Sequence, residues 1–563
     1  MNHLSGLDAT FLHMESPEMP MHVGSLNVMD LPDGYTGEFF EDARQRIGER
    51  IHLAELFTRK LALMPFDLSN PVWVEDEAVD LDYHVRHVSL PKPGSNRQLQ
   101  QYVARLHSSL LDRSRPLWEC FVIDGLKSGQ VAMYTKVHHA GMDGQAGVAL
   151  AQAIYDLEPT GRVVKPPRPK IRRNQYQLGI AELGGAALRN TAQQVVKLFQ
   201  TAPAMLRALR DTVVPEKDDH GKRQWGMPKN FKIFGPRTLL NVSVTNQRTF
   251  AGRTISLAET KLIGKTLGGS LNDVVMCTTA GALRRYLADH DDLPHKSLLA
   301  AIPVSLRAPG DTSSNNQVSM LSMLLSTDIT DPVERLHAIH AASNANKVMM
   351  GRVKTAIPTD FPLFGAPWLM SGIAAVVARS RLINIIPPIA NIVISNVPGS
   401  PVPLYFAGAR VVSYYPVSIV VHSMALNVTV QSYAGRLDYG LIACRRAVPD
   451  IVDLGDHLLT EHQALLARAH GVLAAKAAGE AEPAAKQVVA GAGAKAMSVT
   501  AVKSVGGITS KVASKVAAKA GTKSAGKAKS KTEPQLKLVG AKAAAPRPRK
   551  APVAKRVAVR SVR

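Results

Sequence analysis

The feature that most constrains the fold is a change of composition near residue 475. From Lys476 to Arg563 the chain is mostly Ala, Lys, Gly, Ser and Val, with no aromatic residue. Such a segment buries too little apolar surface to offset its ordering entropy. A packed core must therefore come from the first ~470 residues, and 471–563 is expected to be a disordered basic tail. The tail also carries most of the charge. Its last 88 residues hold 20 of the 68 Lys and Arg against 3 acidic residues, or +17 of the formal +23. The body is only mildly basic, so net charge describes the tail and not a site.

The rest has ordinary globular composition, 45% apolar and 20% charged over 563 residues. That is chain enough for roughly two to four domains. It excludes collagen-like and disulfide-stapled classes. Cys120, Cys277 and Cys444 are widely separated, odd in number and form no CxxC pair. They indicate neither a zinc site nor a disulfide framework, and they suit a reducing compartment. Met1 to Asp8 has no basic or apolar region of the secretory type, so no signal peptide is expected there. Phe361 to Ala378 is uncharged for 18 residues, but Pro362, Gly365, Pro367 and Gly372 interrupt it. It reads as a buried helix starting near Pro367, with an interfacial or spanning segment as the alternative.

Residues 1–158 read as one mixed unit. It ends in a strand-like run, Val131 to Val137, a short loop, and a helix-compatible stretch from Gly147 to Tyr155. Residues 159–235 read as a linker. It opens with the Pro- and Arg-rich run Lys165 to Arg173, then a helix from about Ala186 to Leu209 decorated with Arg189, Lys197, Arg207 and Arg210. That helix either packs on the body or lies on an anionic membrane surface. Residues 236–470 form a second unit. Strands are predicted at 253–257, 298–304, 391–395 and 425–432, with helices near 258–267 and across 272–289.

The chemistry concentrates in His138-His139-Ala140-Gly141-Met142-Asp143-Gly144, an HHxxxDG motif in the loop between strand and helix. Rigid elements flanking a loop hold reactive side chains well. A neutral imidazole takes a proton from a hydroxyl near neutral pH. Adjacent His side chains point in different directions, so one can face a substrate while the other packs. Asp143 could orient the loop through backbone N–H groups or an Arg, and Gly144 permits a tight backbone. A metal site lacks a third ligand or an HExxH partner, and a purely structural His pair is the other alternative. No GxSxG elbow is present, so direct attack assisted by a His base is favoured over an acyl-enzyme.

HHxxxDG is the signature of the CoA-dependent acyltransferase superfamily, which includes chloramphenicol acetyltransferase and peptide-synthetase condensation domains. Further segments narrow the resemblance. They are Leu7-Asp8-Ala9-Thr10-Phe11, Pro20-Met21-His22-Val23-Gly24, Pro116-Leu117-Trp118-Glu119, Leu271-Asn272-Asp273-Val274-Val275, Pro303-Val304-Ser305-Leu306-Arg307 and Ser395-Asn396-Val397-Pro398-Gly399. In this order they resemble the bacterial wax ester synthase/acyl-CoA:diacylglycerol acyltransferase family, over about residues 3 to 470.

The resemblance implies an α/β fold of mixed sheets, with two chloramphenicol-acetyltransferase-like domains joined by a helical crossover. It implies transfer of a long acyl chain from acyl-CoA to diacylglycerol, to a long-chain alcohol, or to both, with no permanently bound cofactor and no metal. The second His of the motif is the family's base, so that role falls on His139. His138 would support the loop, and Asp143 would be mainly structural. Asn272 matches an Asn-Asp pair linked to activity. It stands either as an oxyanion donor or as a helix N-cap. Asp273 reads as a cap or packing partner. Pro116, Leu117 and Trp118 form either a strand start with a buried Trp or a wall of the acyl channel. Asn396 either sets a turn or lines the site, and Gly144 adjoins the substrate. His13 and His22 are taken as structural, and Ser305 and Arg307 as strand-end polar groups.

The tail's charge spacing suits an anionic membrane or lipid-droplet surface. Nucleic acid could bind only through this tail, without stacking readout. The expected location is cytoplasmic, peripheral to the inner membrane or lipid droplets. Two other classes remain open: a condensation-type enzyme using carrier-bound substrates, and a non-catalytic lipid-body or nucleic-acid-binding protein.

Overall fold

In the computed structural model the described residues are 2–4, 6–62, 70–142, 144–166, 216–217, 223–224, 234–305, 318–353 and 387–495. Asp143, Arg307, the 186–209 helix and the 361–378 segment lie outside them, as does the tail from 496 onward. Met1–Lys486 form one unit.

The strands are β1 (Asn2–His3), β2 (His22–Asp30), β3 (Arg59–Ala62), β4 (Val72–Glu75), β5 (Val85–Ser89), β6 (Trp118–Asp124) and β7 (Val131–His138). Then come β8 (Glu216–Lys217), β9 (Arg223–Gln224), β10 (Arg248–Ser256), β11 (Leu299–Ser305), β12 (Val318–Leu324) and β13 (Ile392–Val397). The last are β14 (Tyr405–Phe406), β15 (Ala409–Val417), β16 (Leu426–Tyr433) and β17 (Arg436–Cys444). Two six-stranded sheets dominate, in the orders β14-β15-β2-β7-β6-β5 and β10-β17-β16-β13-β11-β12. Both are mixed. β5 runs parallel to β6, and β13 parallel to both β11 and β16, while the other pairings are antiparallel. The fold is the mixed α/β class anticipated from the sequence.

Local sequence explains the elements that carry the site. β6 and β7 are near-continuous apolar runs and are buried along almost their whole length, as strands covered on both faces must be. The helix Asn96–His107 is capped by Ser95, whose hydroxyl accepts from the Gln98 N–H while the Gln98 side chain accepts from the Ser95 N–H. Its buried Leu99, Val103, Ala104 and His107 fall at helical spacing. The helix Leu257–Leu267 starts at Ser256, and Leu271–Asp289 at Ser270.

The sheets do not divide cleanly between the two halves of the sequence. β14 and β15, from the second half, pair at the edge of the first sheet, with Tyr414 opposite Asn27 and Val417 opposite Gly24 of β2. The β15 backbone then lies against the second sheet. The Tyr414 N–H donates to Asp438 Oδ2 at 2.7 Å, and the Thr254 and Tyr415 hydroxyls are 3.0 Å apart. This approach needs glycine: a Cβ on Gly440 would sit 1.7 Å from the Pro416 carbonyl oxygen. One large core runs from Met21 and Leu26 through Leu283 and Leu441 to Leu465. Each fully buried side chain of that size contributes about 1.5–3 kcal/mol.

The helix Ile451–Lys495 carries regular structure past residue 470, where the tail was expected to begin. Among the described residues no helix is long and apolar enough to cross a membrane.

Candidate active site

β2 and β7 run antiparallel with His22 opposite His138, so two histidines end neighbouring strands. The chain then leaves β7 as a single 3-10 turn, His139–Gly141, before the helix Gly144–Ile154. Backbone bonds fix this exit. The His138 N–H donates to the Leu117 carbonyl at 3.0 Å, and the His139 N–H to the Met21 carbonyl at 2.9 Å. A Cβ at Gly141 would lie 2.6 Å from a Leu56 methyl, so a larger residue there would displace that side chain. The far end of the following helix is also tied down. Arg50 and Arg162 donate to its last carbonyls, and Arg50 forms a buried ion pair with Asp156 at 2.8 Å.

The two motif histidines do point apart. His138 is fully buried, and its Nδ1 accepts the Ala140 N–H at 3.1 Å. Its Nε2 lies 3.3 Å from Oε1 of Glu15, off the line of a formed hydrogen bond, so the contact is electrostatic. The Glu15 carboxyl is 2% exposed. Burial alone would raise its pKa, but His138, the Met21 N–H and Arg113 hold it down at about 2. His139 is half-buried, with its ring stacked on Phe11 at 4.1 Å between centroids. Its Nδ1 is sealed from solvent with no hydrogen-bond partner. Burial, with a smaller push from His138, lowers the ring's pKa to about 4, so His139 is neutral at pH 7. Behind this pair His22 Nε2 meets the His107 carbonyl at 2.8 Å, and His107 Nδ1 meets the Tyr134 hydroxyl at 2.7 Å. Burial drives both rings' pKa values down, that of His107 to about 3.

A second cluster forms on the other sheet. Asn272 is the second residue of the helix Leu271–Asp289, and Ser270 is the N-cap. The cap reading for Asn272 is therefore corrected: the hydroxyl of Ser270 reaches the free N–H of Asp273, which the Asn272 side chain does not. Asp273 closes the capping box, accepting from the Ser270 N–H at 2.9 Å, and its Oδ2 also meets His340 Nδ1 at 2.7 Å. These bonds, with one from Ser343, outweigh burial and lower its pKa. It is fully buried and held in the capping box of Ser270. Asn396, exposed near the end of β13, donates from Nδ2 to Oδ1 of Asn272 at 3.4 Å. Two sequence-predicted residues 124 positions apart thus meet. Among the described residues neither amide bonds to His139.

Leu117 and Trp118 belong to the core, with 0% and 2% exposure. Trp118 stacks on His84 at 4.4 Å and donates from Nε1 to the Phe57 carbonyl at 3.1 Å. Leu117 reaches the motif through its carbonyl, and the Pro116 carbonyl accepts the Trp118 N–H at 2.8 Å. Gly144 begins the helix that follows the motif. His22 and His13 pack as anticipated, the latter 3.3 Å from Asn70 Oδ1. Cys120, Cys277 and Cys444 are free and buried. Among the described residues no group of His, Cys, Asp and Glu could hold a metal ion.

Phe11, Glu15 and Met21 are functional neighbours that motif reading missed. Phe11 and Met21 lie in segments quoted above, and Glu15 lies between them. Their proximity to the site depends on the helix Gly6–Met14 folding over the turn, which no local pattern reveals.

The wax ester synthase/diacylglycerol acyltransferase catalytic-domain model matches residues 4–275, and the WS/DGAT C-terminal domain model matches residues 314–465. A putative diacylglycerol O-acyltransferase of Mycobacterium tuberculosis is 38% identical over 466 residues, covering 81% of this chain and 98% of that protein. The O-acyltransferase WSD of Acinetobacter baylyi is 34% identical over 472 residues, covering 82% and 96%. The solved wax ester synthase/diacylglycerol acyltransferase of Marinobacter aquaeolei VT8 superposes with a TM-score of 0.59 at 29% identity, covering 83% of this chain and 100% of that one.

Proposed function

The chain belongs to the wax ester synthase/diacylglycerol acyltransferase family and is an O-acyltransferase, and from that premise we propose how its residues perform the transfer. The donor is a long-chain acyl-CoA. The acceptor is the free hydroxyl of diacylglycerol, of a long-chain alcohol, or of both.

The observation that carries the mechanism is the placement of His139, half-buried at a turn pinned by backbone bonds and stacked on Phe11, where burial holds its pKa low. Its Nδ1 is sealed, which leaves Nε2 to meet a hydroxyl. Nε2 takes the proton as the alcohol oxygen attacks the thioester carbonyl carbon. The carbonyl π pair moves onto oxygen. The Asn272 side chain donates an N–H to that oxyanion, an interaction worth about 3 kcal/mol. The Asn396 bond to Oδ1 of Asn272 supports this, because it leaves the Asn272 NH2 group as the outward donor. The oxyanion collapses, the C–S bond breaks, and the leaving CoA thiolate takes the alcohol's proton from His139. His138 holds the turn, Asp143 orients the loop, and no acyl-enzyme forms. Gly144, Pro116, Leu117, Trp118 and Asp273 shape the surrounding walls through backbone and packing.

The test is CoA thiol release from palmitoyl-CoA with diacylglycerol or hexadecanol, for wild type and His139→Ala. Acceptor-dependent release that disappears in the variant supports the reading, and the better acceptor names the product. Absence of acceptor-dependent release from folded wild type overturns it.

The basic tail attaches the enzyme peripherally to an anionic membrane or lipid-droplet surface, where its lipid acceptor resides. Deleting 496–563 leaves the last helix intact and removes 17 basic residues. Binding to anionic liposomes should then fall, and unchanged binding would remove this role.

A further inference from the structure

We propose that Glu15 is a positioning residue for His139, acting through His138 and through the Met21 backbone. The inference rests on the reading of His139 as the base, and it adds a residue that reading does not use.

The geometry runs through two routes that share one carboxylate oxygen. Oε1 of Glu15 accepts the Met21 N–H at 3.0 Å, and the Met21 carbonyl in turn accepts the His139 N–H at 2.9 Å. The same oxygen lies 3.3 Å from His138 Nε2. His138 Nδ1 accepts the Ala140 N–H at 3.1 Å. A nitrogen that accepts carries no proton, so the His138 ring proton stands on Nε2, facing the carboxylate. Ala140 is the middle residue of the turn that begins at His139. Glu15 therefore anchors the backbone of His139 through Met21, and its charge faces the ring that pins the next residue.

The other oxygen, Oε2, is held by Arg113, with Nε at 3.1 Å and Nη2 at 2.8 Å. Nη2 of Arg113 also donates to the Leu12 carbonyl at 2.8 Å. The Glu15 N–H donates to the Phe11 carbonyl at 3.2 Å, and the Phe11 ring covers His139. One short stretch, Phe11 to Met21, thus fixes both the face and the backbone of the base. Three donors converge on Glu15, namely Arg113 Nε, Arg113 Nη2 and the Met21 N–H, and the Nε2 edge of His138 faces it at 3.3 Å. A carboxylate satisfies them because it only accepts. Glutamine has the same shape but brings an NH2 group. In one orientation that group faces Arg113, and in the other it faces Met21 and His138, so donor meets donor either way.

The test uses the full chain and acceptor-dependent CoA release from palmitoyl-CoA, with thermal melting as a check of folding. Glu15→Gln should lower kcat about 10- to 100-fold, the cost of a misplaced reacting group, with little change in KM for palmitoyl-CoA. Glu15→Asp, which keeps the carboxylate, should recover part of that loss. If Glu15→Gln does not fold, Arg113→Gln removes the outer anchor and should lower kcat in the same direction by less. Wild-type kcat in a folded Glu15→Gln overturns the inference while the acyltransferase reading stands. A rise in KM with kcat intact also overturns it, because Glu15 would then be a substrate contact, and so does Glu15→Asp performing no better than Gln. No acceptor-dependent release from the wild type would take down the base assignment and this inference together.

Discussion

The histidine turn and the paired amides are held in opposite ways. His138 and His139 sit at a strand exit, pinned by backbone bonds to Leu117 and Met21, with a buried carboxylate behind them. Asn272 and Asn396 stand at a helix start and a strand end, half-buried and exposed, joined by one 3.4 Å contact. The difference suits the two tasks proposed for them. A base must have its protonation state set, which requires burial and nearby charge. An oxyanion donor is neutral throughout and needs only direction. The region proposed to handle a proton is enclosed, and the region proposed to offer a neutral N–H is open.

The sharpest way to break this comparison is His139→Ala, which should cut kcat about 10²- to 10⁴-fold. Asn272→Ala should cost about 10²- to 10³-fold in kcat, with KM for acyl-CoA nearly unchanged. If the two losses are reversed in size, the enclosed side is not the principal one. Gly440→Ala attacks the strand that joins the sheets carrying the two clusters. Its Cβ meets the Pro416 carbonyl oxygen, so a loss of about 3 kcal/mol in unfolding free energy is expected from denaturant titration. Asn396→Ala should lower kcat about tenfold, and by little more when Asn272 is already Ala, because coupled residues are not additive.

The mildest effect is that of pH. His139 must be unprotonated to act, and burial lowers its pKa to about 4. Thus kcat/KM should stay level from pH 7 down to near 5 and fall with a midpoint near 4. Stability should respond earlier. His139, His22 and His107 all have pKa values depressed in the folded chain, so the unfolded chain takes up protons first as pH drops below 6.5. Melting temperature should decline between pH 6.5 and 4. It should decline further below pH 4.5 as Glu15, held at about 2, loses its advantage. A melting temperature independent of pH across 6.5 to 4 would show that these rings are not buried as neutral groups.

Local pattern carried the sequence reading a long way. The apolar run ending at Val137, the loop and the helix beyond it follow the apolar spacing, with β7 ending at His138 and the helix starting at Gly144, three residues before the expected Gly147. The separate roles of the two histidines follow from the directions of adjacent side chains. The helix start beside Asn272 was also legible, though its cap is Ser270. These are short-range properties, set by periodicity and by the groups a helix end leaves unpaired.

Other decisions were long-range. The pairing of β15 with β2 brings residues ~400 positions apart together, and no apolar period encodes a partner. The ring of Phe11 over His139, the Glu15 carboxylate beside His138 and the contact between Asn396 and Asn272 arise the same way. So does the pKa of His139, which depends on what surrounds the ring and not on the ring itself. By itself, the sequence determined the family and its reaction class and offered the residues for the proposed chemistry, because motifs and local spacing are written there. The tertiary structure decided which nitrogen is sealed, which carboxylate stands behind the turn and which amide points outward, because burial and partnership exist only once distant segments pack.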